Sequence, residues 1–256
     1  MSLDLSTRDG VAVLTIDRQD ALNALNFSLI GQFSKLIDEV ASLDVRGLLI
    51  TGAGDKAFCA GADIKELIGR DLMAQRRGAE AGQAAFAKIA ALEIPSVALI
   101  NGYAFGGGLE MALACTFRLA VPSAKVGLPE IKLGLIPGYG GTQRLPRLIG
   151  EGRALEMIMT GRTVDAAEAE RIGLVNRIVA GDDPMAAALA FLGEMTRYGL
   201  PALAFAKQAV SRALDLPIHE GLKVEADLST LAYRTEDADE GLAAFVEKRK
   251  PTFRDR

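Results

Sequence analysis

The chain has 256 residues, half of them apolar, with 29 basic against 33 acidic side chains and a single histidine. A length of that order buries one substantial core, or a core with a small helical appendage. The mild acidity weighs against a dedicated nucleic-acid surface, which would be basic, although a local basic patch for phosphates stays open. His219 alone would have to carry any His-dependent triad or His metal site, and its helical, charged context weighs against both.

Cys59 and Cys115 are too few for a disulfide framework and read as small core residues. Asp4 and Asp9 interrupt the first ten residues, and no basic segment precedes an apolar run there. The most apolar stretch, residues 97–121, contains Glu110, Arg118 and a glycine cluster, whereas a bilayer helix needs roughly 20 mostly apolar residues. The expectation is a cytoplasmic protein with no membrane partner.

In chain order, residues 3–7 and 11–16 alternate apolar and polar across Arg8-Asp9-Gly10, a hairpin signature. Leu29, Ile30, Phe33, Leu36, Ile37 and Val40 then fall on one helical face. Residues 47–51 form a short apolar run of the kind buried in a parallel sheet, ending in Gly52-Ala53-Gly54. A helix is predicted over 75–92, a second buried strand over 97–100 and a helix over 107–114 that opens from a glycine turn. A further strand follows over 117–121. Beyond Gly150 the pattern is helical apart from a short strand at 174–179. Strands alternating with helices, then helices alone, predict an α/β core with a helical C-terminal region. The expected boundaries are a core over 1–195 and a helical region over 196–256.

Gly106-Gly107-Gly108 lies between strand and helix. It is a tight turn needing positive φ or close backbone approach, and its N–H groups at a helix start can also face an anionic atom. No Lys-Ser or Lys-Thr follows, as a phosphate-binding loop requires, and the glycine spacing differs from a dinucleotide fingerprint. Residues 57–65 (Ala-Phe-Cys-Ala-Gly-Ala-Asp-Ile-Lys) follow a strand and turn with small residues that let a ligand approach the backbone. Asp63 in that segment also suits an N-cap.

Glu110 falls one turn into an apolar helix, and Glu130 follows Pro129 in a loop rich in apolar residues. Each has a plain structural alternative, as a cap or an exposed ion-pair partner. Their joint placement among glycine-rich strand ends favours paired proton transfer beside main-chain donors. Lys248-Arg249-Lys250 reads as a solvated helix end.

Several landmarks occur together in order: Leu22-Asn23-Ala24-Leu25, the 57–65 segment, Asn101-Gly102-Tyr103-Ala104-Phe105-Gly106-Gly107-Gly108-Leu109-Glu110 and Pro129-Glu130. Pro137-Gly138-Tyr139-Gly140-Gly141-Thr142-Gln143-Arg144-Leu145 and a final group from Glu236-Asp237 to Phe253 complete them. In these the chain resembles the enoyl-CoA hydratase/isomerase (crotonase) family over essentially its full length.

The resemblance implies a spiral of ββα units, a C-terminal helical region that forms trimers often paired into hexamers, and coenzyme A thioester substrates without a further cofactor or metal. It implies an oxyanion hole from the N–H groups of Ala62 and Gly107. Contacts to the substrate and its CoA would come from Ala60, Ala62, Asp63, Ile64, Lys65, Gly107 and Gly138, with Phe245 and Lys248 approaching the CoA of an adjacent subunit. Both family glutamates stand here, as Glu110 and Glu130, which marks the hydratases: Glu110 would activate water and Glu130 would protonate the α-carbon. Thr116 stands where the family commonly has Asp, a departure expected to touch one local hydrogen bond. An isomerase of the same family and a non-catalytic acyl-CoA or RNA binder are the alternatives; the acidity and the two retained acids count against the binders.

Overall fold

The computed structural model describes residues 2–256; Met1, where the expected core begins, lies outside them. Two bodies are distinguished, residues 1–92 with 96–190, and residues 93–95 with 191–256.

The first body starts with the hairpin β1 (Leu3–Arg8) and β2 (Val11–Ile16), paired antiparallel from Leu3 with Ile16 to Arg8 with Val11. Asp9 and Gly10 turn it with φ of 50° and 74°, the left-handed pair a two-residue hairpin demands. Helix α1 (Phe27–Val40) is capped by the Asn26 side chain and buries Leu29, Ile30, Phe33, Ile37 and Val40; Leu36 is only half-buried. Strands β3 (Gly47–Gly52), β5 (Ser96–Ile100) and β7 (Phe117–Ala120) continue the sheet in parallel after β2, and β10 (Arg177–Ile178) closes it. The strand expected over 174–179 thus shortens to two residues. Leu174 and Val175 are instead held in a turn by their N–H bonds to the Ala169 carbonyl.

A second sheet, not anticipated, is made of β4 (Ala57–Cys59), β6 (Tyr103–Phe105), β8 (Lys125–Gly127) and β9 (Val164–Asp165). The strand β9 also corrects the expectation of helix and a single strand beyond Gly150. The chain lays one strand in the first sheet, turns a corner and lays the next in the second: β3 then β4, β5 then β6, β7 then β8. Asn101 holds one such corner. Its amide donates to the Gly52 and Gly54 carbonyls, both at 2.7 Å, and its oxygen accepts from the Gly52 N–H. Each strand pair is followed by a helical element: α2 (Leu72–Ala91) after β4, α3 (Gly107–Ala114) after β6, and a 3₁₀ turn at Pro129–Leu133 then α4 (Gly141–Ile149) after β8. This is the crotonase spiral of ββα units.

Helix α3 has every residue buried, since it fills the space between the sheets. It approaches β4 so closely that a Cβ on Gly108 would stand 2.1 Å from the Cys59 carbonyl oxygen, so only glycine fits. Thr116, where an altered local bond was expected, makes a compact bridge from β7's start to β5. Its Oγ1 accepts from the Ser96 N–H at 3.1 Å, its own N–H donates to Ser96 Oγ at 2.9 Å, and the two hydroxyls lie 3.2 Å apart. Cys59 and Cys115 are both buried in this core. Helices α5 (Glu151–Thr160) and α6 (Ala166–Arg171) complete the body, and the chain leaves it within α7 (Pro184–Thr196).

The second body carries α8 (Leu200–Arg212), α9 (Ile218–Ala232) and α10 (Glu236–Glu247). The Asp237 carboxylate accepts from the N–H groups of Arg254 and Asp255, folding the final residues back against α10. No helix among the described residues is long and apolar enough to cross a membrane.

Candidate active site

Strands β4, β6 and β8 are neighbours running in parallel, so their C-terminal ends emerge side by side, about 4.8 Å apart. The three segments singled out from the sequence are the continuations of those ends: Ala60-Gly61-Ala62 after Cys59, Gly106-Gly107 after Phe105, and Leu128-Pro129-Glu130 after Gly127. Their convergence is a matter of topology. Parallel strands present their carboxyl ends together, and ligands bind in the crevice there.

The Ala62 segment is held by a single parallel bridge to Leu25. Leu25 N–H donates to the Gly61 carbonyl and Asp63 N–H to the Leu25 carbonyl, both at 2.7 Å. Such a bridge uses the peptide groups on either side of Ala62, so its own N–H faces away from Leu25. Gly107 opens α3, where the first-turn N–H groups have no intrahelical acceptor. A Cβ built on Gly107 would lie 3.5 Å from Leu25 Cδ1, so the two segments meet around one leucine. Gly106 takes φ 50° and ψ −126°, a conformation left to glycine, and its missing Cβ makes room for Glu130 Oε1, which would lie 2.8 Å away.

Ala60, Gly61, Ala62, Gly107, Glu110 and Glu130 line one cavity of about 740 Å³, together with Ile64, Gly138 and a wall of apolar side chains. Glu110 is 1 % exposed. One of its oxygens, Oε1, accepts from the N–H groups of Tyr139 at 2.8 Å and Gly141 at 2.7 Å. Gly141 is the first residue of α4, so the carboxylate faces a helix N-terminus. Burial nevertheless dominates and pushes its pKa up to about 7; the nearby charge of Glu130 adds to this, while the two N–H donors oppose it. Glu130, half-buried on the 3₁₀ turn, is also raised by burial, and among the described residues its enclosed Oε2 has no hydrogen-bond partner. Helix α3 is anchored at its far end by the buried Arg118, whose guanidinium donates to the carbonyls of Cys115 at 2.9 Å and Leu174 at 2.8 Å.

The remaining expected site residues fall elsewhere. Asp63 does serve as the cap of the 3₁₀ turn Ile64–Glu66, its Oδ1 accepting from Lys65 N–H, and its other oxygen pairs with Arg18 at 2.8 Å. Its carboxylate is thereby engaged within the chain, and neither it nor Lys65 lines the cavity. Phe245 and Lys248 belong to the second body: Phe245 is 84 % exposed on α10, and Lys248 ends that helix with φ 57°. Tyr139 and Gly141, the donors that hold Glu110, stood in the 137–145 landmark but without a role, because a main-chain N–H has no signature in residue type. Only the glycine cluster at 138–141 pointed there.

The cavity thus holds a carboxylate pair beside two clustered main-chain segments. The sequence profile of the enoyl-CoA hydratase/isomerase family matches residues 6–256, and the chain belongs to that family. It is 45 % identical over 248 residues to a probable enoyl-CoA hydratase of Mycobacterium tuberculosis, covering 95 % of this chain and 94 % of that one. It is 40 % identical over 250 residues to the crotonyl-CoA hydratase of Syntrophomonas wolfei, covering 97 % and 96 %. The crystal structure of an enoyl-CoA hydratase from Bacillus anthracis superposes with a TM-score of 0.95 at 37 % identity over 100 % of both chains.

Proposed function

We propose that the protein is an enoyl-CoA hydratase, a hydro-lyase adding water reversibly and syn across the double bond of a trans-2-enoyl-CoA to give the 3-hydroxyacyl-CoA. The observation that carries this is the pairing, in one cavity, of a donor-held Glu110 with a second carboxyl, Glu130. The thioester oxygen sits between the N–H groups of Ala62 and Gly107. Each such donor contributes roughly 2.7–4 kcal/mol in the transition state.

Polarisation of the carbonyl makes C3 electrophilic. Glu110 takes a proton from water as its oxygen bonds to C3, and the alkene electron pair moves onto the thioester as an enolate. Glu130 then places its proton on C2. One proton is taken and one is given, so a final exchange with solvent restores the pair. Ala60, Ile64 and Gly138 support the bound thioester along the cavity wall. Asp63, with its carboxylate turned to Arg18, contributes by fixing the Ala62 loop, and exposed Lys65 is free to meet the polar part of CoA.

This reading extends to a homotrimer or homohexamer in the cytoplasm, where CoA thioesters are made and consumed. Its support is the exposure of Val210, Ile218, Phe245 and Val246, between 74 % and 84 %, on the helices of the second body. In such an assembly Phe245 and Lys248 reach the CoA of a neighbouring subunit. A mass by light scattering equal to one chain would refute the assembly.

The activity is tested by following loss of the conjugated thioester with crotonyl-CoA in ¹⁸O-labelled water. Label at C3 of the product is expected. A shifted double bond without label would make the protein an isomerase instead.

A further inference from the structure

Helix α2 runs along the cavity with Gly78 and Gly82 one turn apart on the same face. Each glycine is a notch filled by an aromatic ring. A Cβ on Gly78 would stand 2.6 Å from Phe27 Cε1, and one on Gly82 would stand 2.3 Å from Tyr139 Cδ1. Both rings line the cavity, with Ala79 between the two notches.

Neither ring is loose. The far edge of Tyr139 meets the start of α3, since a Cβ on Gly107 would lie 3.1 Å from its Cδ2, and Phe86 packs edge-on at 5.8 Å. Tyr139 is therefore wedged between two helices, and its own N–H holds Glu110, which places the ring one residue from the carboxylate. Phe27 is backed by the Arg70 guanidinium 4.0 Å from its centroid. Arg70 is tied in turn to the Ala74 carbonyl at 2.7 Å, and the Phe27 N–H to Glu66 Oε2 at 2.7 Å.

Resting on the hydratase reading, we infer that Tyr139 and Phe27, seated in the Gly82 and Gly78 notches, form the wall that stops the acyl chain and restrict the enzyme to short-chain enoyl thioesters. The polar CoA must lead out to solvent, so the apolar wall formed by buried Tyr139 and half-buried Phe27 is left to the carbons beyond C3. A chain directed at these rings meets side chains seated in notches and held from behind, and it lengthens in that direction only if a ring leaves its notch.

The test compares kcat/KM for trans-2-enoyl-CoAs of four, six, eight and ten carbons in the wild type, Tyr139→Ala, Phe27→Ala and Ala79→Leu. Wild type is expected to favour crotonyl over decenoyl by at least about tenfold, the scale of one unaccommodated methylene. Tyr139→Ala should raise the decenoyl-to-crotonyl ratio about tenfold or more, Phe27→Ala should raise it less, and Ala79→Leu should lower the hexenoyl-to-crotonyl ratio. Equal use of both lengths by the wild type, or unchanged ratios in folded variants, would overturn the inference. Should Tyr139→Ala not fold, Phe27→Ala and Ala79→Leu decide. Calorimetric binding of saturated butyryl- and decanoyl-CoA reads the same wall without chemistry. Absence of hydration with a preserved length order in binding would reject the lyase and keep the wall, whereas indifference to length in binding would reject the wall.

Discussion

Glu110 and Glu130 share one cavity but stand on unlike supports. Glu110 projects from a fully buried helix, and two N–H donors fix one of its oxygens. Glu130 stands on a single 3₁₀ turn, with one oxygen against Gly106 and the other enclosed without a hydrogen-bond partner among the described residues. A carboxylate gripped by donors is oriented as an anion, which suits a base that positions water. Burial outweighs the hydrogen bond from its own N–H and favours the protonated form of Glu130, which suits the acid. The contrast thus supports the proposed division of roles without reference to the order of the residues in the chain.

The largest break in that contrast is removal of either proton carrier. Glu110→Gln and Glu130→Gln should each lower kcat for crotonyl-CoA hydration by about 10²–10⁴. Near-wild-type turnover by either variant would remove that residue from the mechanism. Gly106→Ala acts first on Glu130, because its Cβ would press on Glu130 Oε1 and its φ of 50° strains any other residue. Displacing the acid by such a contact should cost roughly 10² in kcat. The same variant should leave the Tyr139 and Gly141 bonds to Glu110 in place, which a crystal structure would check.

The titration sharpens the comparison. With burial holding Glu110 up near pH 7, its base form is lost as pH falls through about 7, so kcat/KM should decline on the acid side there. Two neighbouring carboxylates titrate as a pair. Glu130→Gln removes the like charge and should move the Glu110 titration to lower pH, read by infrared difference or ¹³C NMR of the labelled carboxyl. An unmoved titration would mean the two groups are not coupled. The smallest effect lies away from the cavity. Thr116→Val strips partners from the Ser96 hydroxyl and N–H and should cost about 1–3 kcal/mol in urea unfolding, with kcat unchanged.

The legibility of the chain follows the length of its signals. Helix α3 over Gly107–Ala114 and the buried run of β3 were readable because glycine punctuation bounds an uninterrupted apolar stretch. The second sheet was not, since β4, β6 and β8 have three residues each, too few for a period-two pattern to declare itself. That sheet is what brings the three site segments together. Glu110 and Glu130 could therefore be named from residue type and surroundings, while their proximity waited on topology. The places of the Phe27 and Tyr139 rings stayed hidden for a related reason. A ring seated in a glycine notch is a relation between distant positions, and neither partner carries it alone.

The most direct test is a crystal structure with 3-hydroxybutyryl-CoA bound. The account predicts the thioester oxygen within 2.7–3.1 Å of both the Ala62 and Gly107 nitrogens, the usual reach of oxyanion donors. It also predicts the 3-hydroxyl at Glu110 and C2 facing Glu130. A product whose hydroxyl points away from both carboxylates, or whose thioester oxygen lies in solvent, would contradict it.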